Sequence, residues 1–299
     1  MNGDQPLVSA IIPVYNGGHY VAEAITSILV QTYAPIECIV VDDGSTDGSA
    51  GVVRRFGDRV TYLWRPRGGV AAARNAGARA ARGQFLAFLD ADDTWVETKI
   101  ERQMALLAER PGLGLVYGSV RRIDVGGLHG AVVPAPRPQD ALRNVLLQRG
   151  PGVALAQTGL IPSSVFRAIG GFDERLSTAA DSDLACRIAL RCELAAVTEP
   201  LASYRSHPTQ MHLDIAPFEH DVKLLLRKAF GSGLLPAELQ RLRRRAHANL
   251  AFTLAYLRYA DGAEPRAALR QLCVAFGFAP IETLKWVAGA VARRAPRRA

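Results

Sequence analysis

The chain has few of the residues that mark a redox scaffold, a metal finger or a membrane span. Its four cysteines, Cys38, Cys186, Cys192 and Cys273, form no Cys-x-x-Cys pair and lack a neighbouring histidine spacing. Neither a disulfide framework nor a zinc site is indicated, and the thiols are expected to be reduced and mostly buried. No apolar stretch reaches the roughly 18 residues needed to cross a bilayer. The opening "MNGDQPLVSAIIPVYNGG" has an acid where a secretory leader would be basic, and Pro13 cuts its apolar run short, so a cytoplasmic location is expected. Gly-x-Gly-x-x-Gly is also missing, since the first strand-like run leads into PVYNGG; this argues against a nicotinamide-dependent oxidoreductase. Acids are scarce only near the end. Residues 1–220 carry 21 Lys and Arg against 23 Asp and Glu, a net of −2, and residues 221–299 carry 15 against 5, a net of +10. The basic pI near 9.6 therefore belongs to the tail. A nucleic-acid-binding protein acting through that tail is a competing reading, but the rest of the chain would repel a phosphate backbone, and no nucleic acid partner is expected.

What is present is alternation. "LVSAIIPVYN" reads as a buried strand, "GHYVAEAITSILVQTY" has apolar residues at helical spacing, and "IECIVVDDGSTDGSAGVVRRF" runs strand, polar turn, helix. "VTYLWRP" is a further strand, "GGVAAARNAGARAARG" a glycine-led helix, and "QFLAFLDADDTW" another strand. Four strands before residue 95, alternating with helices, predict an α/β fold with a mainly parallel central sheet flanked by helices.

Two acid clusters end these strands: Asp42 and Asp43 after "CIVV", and Asp90, Asp92 and Asp93 after "FLAFL". Ligands of such sheets bind beyond the carboxyl ends of the strands, so both clusters are expected to face one crevice. A lone DDG is as well read as a turn or a helix cap. Asp-x-Asp-Asp, however, packs like charges that need a cation among them, and carboxylates in that grouping suit Mg²⁺ or Mn²⁺ carrying a phosphorylated substrate. Arg74 and Asn75, near the start of a helix led by Gly68 and Gly69, are candidates to approach that phosphate or to form a solvated helix face.

The blocks "SAIIPVYNGGHYVAEAITSILVQTY", "VVDDGSTDGS" and "RGGVAAARNAGARAARGQFLAFLDADDTW", followed by "LIPSSVFRAIGGFDERLSTAADSDLACRI" and "LASYRSHPTQ", resemble in order and spacing the inverting family 2 glycosyltransferases of the GT-A fold. The resemblance covers residues from about 7 to 210. It implies a GT-A domain over residues 1–220, with a nucleotide-sugar-binding half (1–115) and an acceptor half (116–220), and a basic helical C-terminal extension over 221–299. It implies a donor pocket lined by Pro13, Tyr15, Asp42, Asp43, Gly69, Arg74, Asn75, Asp90, Ala91 and Asp92, with Asp43 on the base. It places a divalent metal, Mg²⁺ or Mn²⁺, at Asp90, Asp92, Asp93 and His207, and the catalytic base at Asp181. The implied activity is metal-dependent transfer from a nucleotide sugar, UDP-linked as the commonest choice, to a saccharide or lipid-linked saccharide in bacterial surface polysaccharide or glycolipid assembly. One departure stands out: the family's Glu-Asp pair reads Ala180-Asp181 here, so a catalytically impaired nucleotide-binding relic is an alternative. Asp183 is read as the structural acid of the same helix start, near the positive end of its dipole.

The tail segment "PIETLKWVAGAVARRAPRR" puts Ile281, Leu284, Ala288 and Val291 on one helical face beside Trp286 and ends in Arg293, Arg294, Arg297 and Arg298. That pattern suits an anionic membrane surface, and the chain is expected to sit peripherally on the inner face of the cell membrane.

Overall fold

Continuously apolar, β-branched segments form the strands, and segments with apolar residues every three to four positions form the helices that cover them. The computed structural model describes residues 5–149, 152–207, 215–260, 264–281 and 283–284. Along these the chain runs β1 (Val8–Val14), α1 (Val21–Leu29), β2 (Ile36–Asp42), α2 (Ser49–Arg54), β3 (Val60–Trp64), α3 (Val70–Ala80), β4 (Phe85–Phe88), β5 (Thr94–Trp95), α4 (Lys99–Glu109), β6 (Leu113–Ile123) and β7 (His129–Val133). It continues through α5 (Pro138–Leu147), α6 (Leu155–Thr158), β8 (Leu160–Pro162), α7 (Ser163–Ile169), α8 (Ala180–Ala189), β9 (Glu193–Arg205), α9 (Ile215–Gly231), α10 (Ala237–Gln240), α11 (Arg243–Ala260) and α12 (Pro265–Phe278).

One sheet takes the order β3-β2-β1-β4-β8-β6-β9-β5, with β7 beside β6. The first four strands are parallel, as is the long β6–β9 pairing, and short antiparallel pairings through β8 join these two blocks. Chain order reverses at β1, with β2 and β3 to one side and β4 to the other, the switch point at which open sheets leave a crevice. Pro13 is placed to open it. β4 leaves β1 after Ile11, whose carbonyl accepts the Leu89 N–H, and residues two apart point to the same side of a strand. The Pro13 nitrogen therefore faces the side β4 has left, where an N–H would lack a strand partner.

One face of the sheet packs Ile12, Val14 and Val40 against Ile25 and Ile28 of α1 and Ile100 of α4. The other packs Ile11, Val41 and Phe88 against α3, α7 and α8 through Ala73, Phe166 and Leu184. Gly77 lets α3 lie close, since a β-carbon there would stand 2.4 Å from Ile11 Cγ2. A third cluster joins Leu146 of α5, Cys186 of α8, Leu226 of α9 and Leu250 of α11, and α12 packs its apolar residues on α11 within a small cluster of their own.

Residue 220, the expected boundary of the extension, lies inside α9. The next residue, Asp221, reaches back: its buried carboxylate accepts the N–H groups of Ser177, Thr178 and Ala179 at 2.8, 2.7 and 3.2 Å. The cysteines are all free; Cys38 and Cys186 are buried, Cys192 is half-buried and Cys273 is exposed. Among the described residues no helix is long and apolar enough to cross a membrane. Trp286, Ala288, Val291, Arg293, Arg294, Arg297 and Arg298 lie outside the described residues.

Candidate active site

The first acid cluster is closed by its own chain. Asp42 and Asp43 are buried. Asp42 accepts the Tyr62 hydroxyl and the Ser45 N–H, both at 2.7 Å. Asp43 accepts Arg65 Nη1 at 2.9 Å and the N–H groups of Gly68 at 3.0 Å and Gly69 at 2.7 Å. Gly69 has φ +91°, a left-handed backbone that favours glycine, and this turns its N–H toward Asp43 just before α3 begins. Beyond the end of β1, Tyr15 is partly exposed; its hydroxyl accepts Arg67 Nη1 at 2.8 Å, and the same guanidinium lies 3.9 Å from its ring centroid. An aromatic face and a cation thus stand at the mouth of the crevice.

The second cluster has fewer donors. Asp90 accepts Arg74 Nη2 at 2.5 Å and Gln157 Nε2 at 3.0 Å. Asp92 Oδ2 lies 2.8 Å from His207 Nε2, and the His207 ring stacks on Tyr20. Asp93 is buried; Oδ1 accepts the Arg205 N–H at 2.8 Å, and Oδ2 has no partner among the described residues. Burial, and then the charge of Asp90, raises the Asp92 carboxyl above its ordinary range despite His207. Burial, followed by the charges of Asp92 and Asp90, raises Asp93 well above that range. Ala91 separates Asp90 from Asp92 and lies beside Gly17 of the β1–α1 loop, where a β-carbon on the glycine would meet its methyl at 3.4 Å.

Arg74 links this cluster to α8. It is buried, bonds Asp90, and its guanidinium lies 5.3 Å from the Phe172 ring centroid. Asp181 stands in the first turn of α8, where its Oδ1 accepts the Ser182 N–H at 2.8 Å. Burial raises its pKa, the Arg74 charge works against that rise, and the Asp90 charge adds to it. Asp90, Arg74 and Asp181 thus share one electrostatic neighbourhood. Asn75 is turned away from it. Its amide donates to the Phe172 carbonyl and Glu174 Oε1, and its oxygen accepts the Phe172 N–H, which ties α3 to the loop after α7. Ala180, where the family pattern has glutamate, is fully buried in the apolar cluster of α3, α7 and α8. Asp183 is a structural acid, paired with Arg187 at 2.8 Å and Lys228 at 2.7 Å.

The four expected metal ligands do not converge: among the described residues no group of three such side chains is placed to hold an ion. Asp90 bonds Arg74 and Gln157, and one oxygen of Asp93 bonds the backbone of β9. Asp92 and His207 do meet, and a carboxylate with an imidazole fits a divalent cation that completes its shell with water and substrate phosphates. Two partners were missed in the sequence. Arg205, nearly fully buried, donates Nε to the Asp92 carbonyl at 2.9 Å, Nη1 to the Val125 carbonyl at 3.2 Å and Nη2 to Glu23 at 2.6 Å, so one side chain pins the acidic loop to α1 and β9. Its signal was its place in "YRSH" beside His207. Gln157, whose carbonyl also accepts Trp95 Nε1 at 2.9 Å, gave only a polar residue in an apolar run.

Comparison with known proteins follows this geometry. The profile of the family described as Glycosyl transferase family 2 matches residues 9–169, more than half of the 299-residue chain. An uncharacterized glycosyltransferase of Rickettsia prowazekii (strain Madrid E) is 38% identical over 183 residues, 60% of this chain and 57% of that protein. The UDP-Glc:alpha-D-GlcNAc-diphosphoundecaprenol beta-1,3-glucosyltransferase WfgD of Escherichia coli is 38% identical over 147 residues, 48% of this chain and 56% of that one. The chain thus spans somewhat over half the length of these two relatives. The structure of the mannosyltransferase PcManGT from Pyrobaculum calidifontis in complex with GDP-Man and Mn²⁺ superposes with a TM-score of 0.62 at 24% identity, covering 98% of this chain and 82% of that one. The fold is therefore the GT-A fold that the sequence blocks implied.

Proposed function

The chain belongs to glycosyl transferase family 2, and from that premise we propose that it moves a sugar, with inversion, from a nucleotide sugar to a hydroxyl acceptor. The observation that carries this reading is the buried Arg74–Asp90 pair beyond the end of β4, with Asp181 in the first turn of α8 within reach of the Arg74 charge. In an inverting transfer the acceptor oxygen bonds to the anomeric carbon as its proton leaves, and the nucleoside diphosphate departs with the electrons of the broken bond. Asp181 takes the proton. Burial raises its pKa above the ordinary carboxylate value, which makes it a stronger base. Arg74 sets positive charge where charge grows on the leaving diphosphate. Tyr15 offers a face on which a base can stack, and Pro13, Asp42, Asp43 and Gly69 form the rigid floor beneath it.

Asp92 and His207 would hold Mg²⁺ or Mn²⁺, which supplies Lewis-acid charge to the diphosphate when bound. The Mn²⁺ in the archaeal structure supports that assignment. The UDP-sugar in the E. coli relative's name favours a UDP-linked donor, and its diphosphoundecaprenol acceptor favours a lipid-linked saccharide made at the inner face of the cell membrane. The division into a donor half, an acceptor half and a C-terminal extension is proposed in the same sense, with α9 serving the acceptor side.

Calorimetric titration of UDP, GDP and dTDP with and without Mn²⁺, on wild type, Asp92→Ala and Asp181→Asn, tests this. One nucleotide is expected to bind in a metal-dependent way. Asp92→Ala removes the metal effect, whereas Asp181→Asn leaves binding intact and lowers transfer by about a thousandfold. Failure of every nucleotide to bind would overturn the donor site, and undiminished transfer by Asp181→Asn would overturn the base.

A further inference from the structure

α12 is apolar on two faces, and α11 covers only one of them. Ala268 and Ala275 are buried, and Ala275, Leu272 and Ala279 pack against Ala248, Ala251 and Phe252 of α11. The neighbouring face, about a quarter-turn round the helix, stands in water. Leu269 is 63% exposed and Phe276 49%, and past the helix Ile281 is 68% and Leu284 61% exposed. Leu269, Cys273 and Phe276 follow at i, i+4 and i+7, which puts them in one row along the helix. Arg266 and Arg270, both exposed and also four apart, lie beside that row, and from residue 265 to the end of the sequence Glu282 is the one acid against seven Lys and Arg. A helix on a protein surface ordinarily turns polar residues to water, and an uncovered apolar row marks a contact surface.

The charge selects the occupant. The chain's remaining tail, residues 285–299, carries Lys285 and four arginines and no acid, so it would bring like charge to Arg266 and Arg270. A second copy of α12 would do the same. An anionic lipid surface reverses the sign: headgroups receive the guanidinium groups while leucine, phenylalanine and isoleucine enter the acyl boundary. We propose that the exposed apolar row of α12, Leu269 and Phe276, together with Ile281 and Leu284 just past the helix and with Arg266 and Arg270 beside the row, seats the chain on an anionic membrane surface. This face lies within the described residues, apart from the tail arginines, and its occupation does not depend on which sugar is moved.

Co-sedimentation of the full chain with vesicles of phosphatidylglycerol and phosphatidylcholine, and with vesicles of phosphatidylcholine alone, tests the proposal. Wild type is expected to pellet with the first and remain in solution with the second. Leu269→Glu/Phe276→Glu should reduce partitioning by about tenfold or more. Arg266→Glu/Arg270→Glu should do so by about tenfold at low salt, with the difference from wild type shrinking at high salt. Both variants replace exposed side chains, and circular dichroism melting verifies that they fold. Three results would overturn the proposal: wild type failing to pellet with anionic vesicles; both double variants pelleting as wild type does, which would assign binding to the tail; or gel filtration showing a dimer that Leu269→Glu/Phe276→Glu dissolves, without vesicle binding. Transfer to a water-soluble acceptor reads the enzymatic proposal separately, so failure of one is distinguishable from failure of the other.

Discussion

Two aspartate clusters end strands that flank β1, and the protein treats them in opposite ways. Asp42 and Asp43 are saturated by donors from β3 and the loop before α3. Asp90, Asp92 and Asp93 crowd together with fewer donors, and burial and mutual repulsion raise two of the three carboxyls. The same residue type, at equivalent strand ends, is therefore a fastener in one place and an open acceptor of positive charge in the other. Donor supply from the rest of the chain decides which.

The contrast is sharpest in turnover. Asp92→Ala is expected to lower the transfer rate by about a thousandfold while leaving the melting temperature near that of wild type, because it removes a repelled charge and the proposed metal ligand, with only the His207 bond lost from the fold. Steady-state kinetics beside thermal melting would check both halves. Asp43→Ala should act mainly on the fold: with the Gly68 and Gly69 N–H groups and Arg65 deprived of their acceptor, urea unfolding should show a loss of about 3 kcal/mol. Comparable losses from the two substitutions in both assays would erase the distinction.

Asp221 extends the saturated class to α9 and the segment ahead of α8. Burial pushes its carboxyl up, but the hydrogen bonds from His220, Ser177, Ala179 and Thr178 outweigh that and hold it below the ordinary range. A depressed folded-state pKa stabilises the protein above the ordinary carboxylate range, and the contribution fades as pH falls through the folded value. Asp221→Ala should cost about 2 kcal/mol at neutral pH. Asp221→Asn should flatten the acid limb of a stability–pH curve, and an unchanged limb would show that the carboxylate's charge is not what holds the loop. The smallest effect belongs to Asp93→Asn. Its Oδ1 bond to the Arg205 N–H survives, and the substitution removes a charge that burial, Asp92 and Asp90 all disfavour, so thermal melting without metal should show a change within about 1 kcal/mol, in the stabilising direction.

The strands and both clusters were legible because a buried parallel strand is a continuous apolar run and a strand end carries its acids in sequence. The difference between the clusters was not. The donors to Asp42 and Asp43 include Tyr62, Arg65 and Gly69, which lie 20, 22 and 26 residues away and arrive only through the β2–β3 register. Arg205 reaches Asp93 across 112 residues, and Gln157 reaches Asp90 across 67. Asp181 could be placed by resemblance, but its nearness to the Arg74 charge depends on the fold bringing the first turn of α8 toward α3.

Asp221 also bears on how such a chain can diversify. The segment that matches the family ends at residue 169, whereas the carboxylate fixing the backbone just ahead of Asp181 lies in α9. Recombination between relatives that exchanged the C-terminal helices would exchange this anchor with them, while the donor pocket stayed with the N-terminal strands. Donor preference should then be inherited as one module, and acceptor-side activity as another that begins upstream of α8 and does not end before α9.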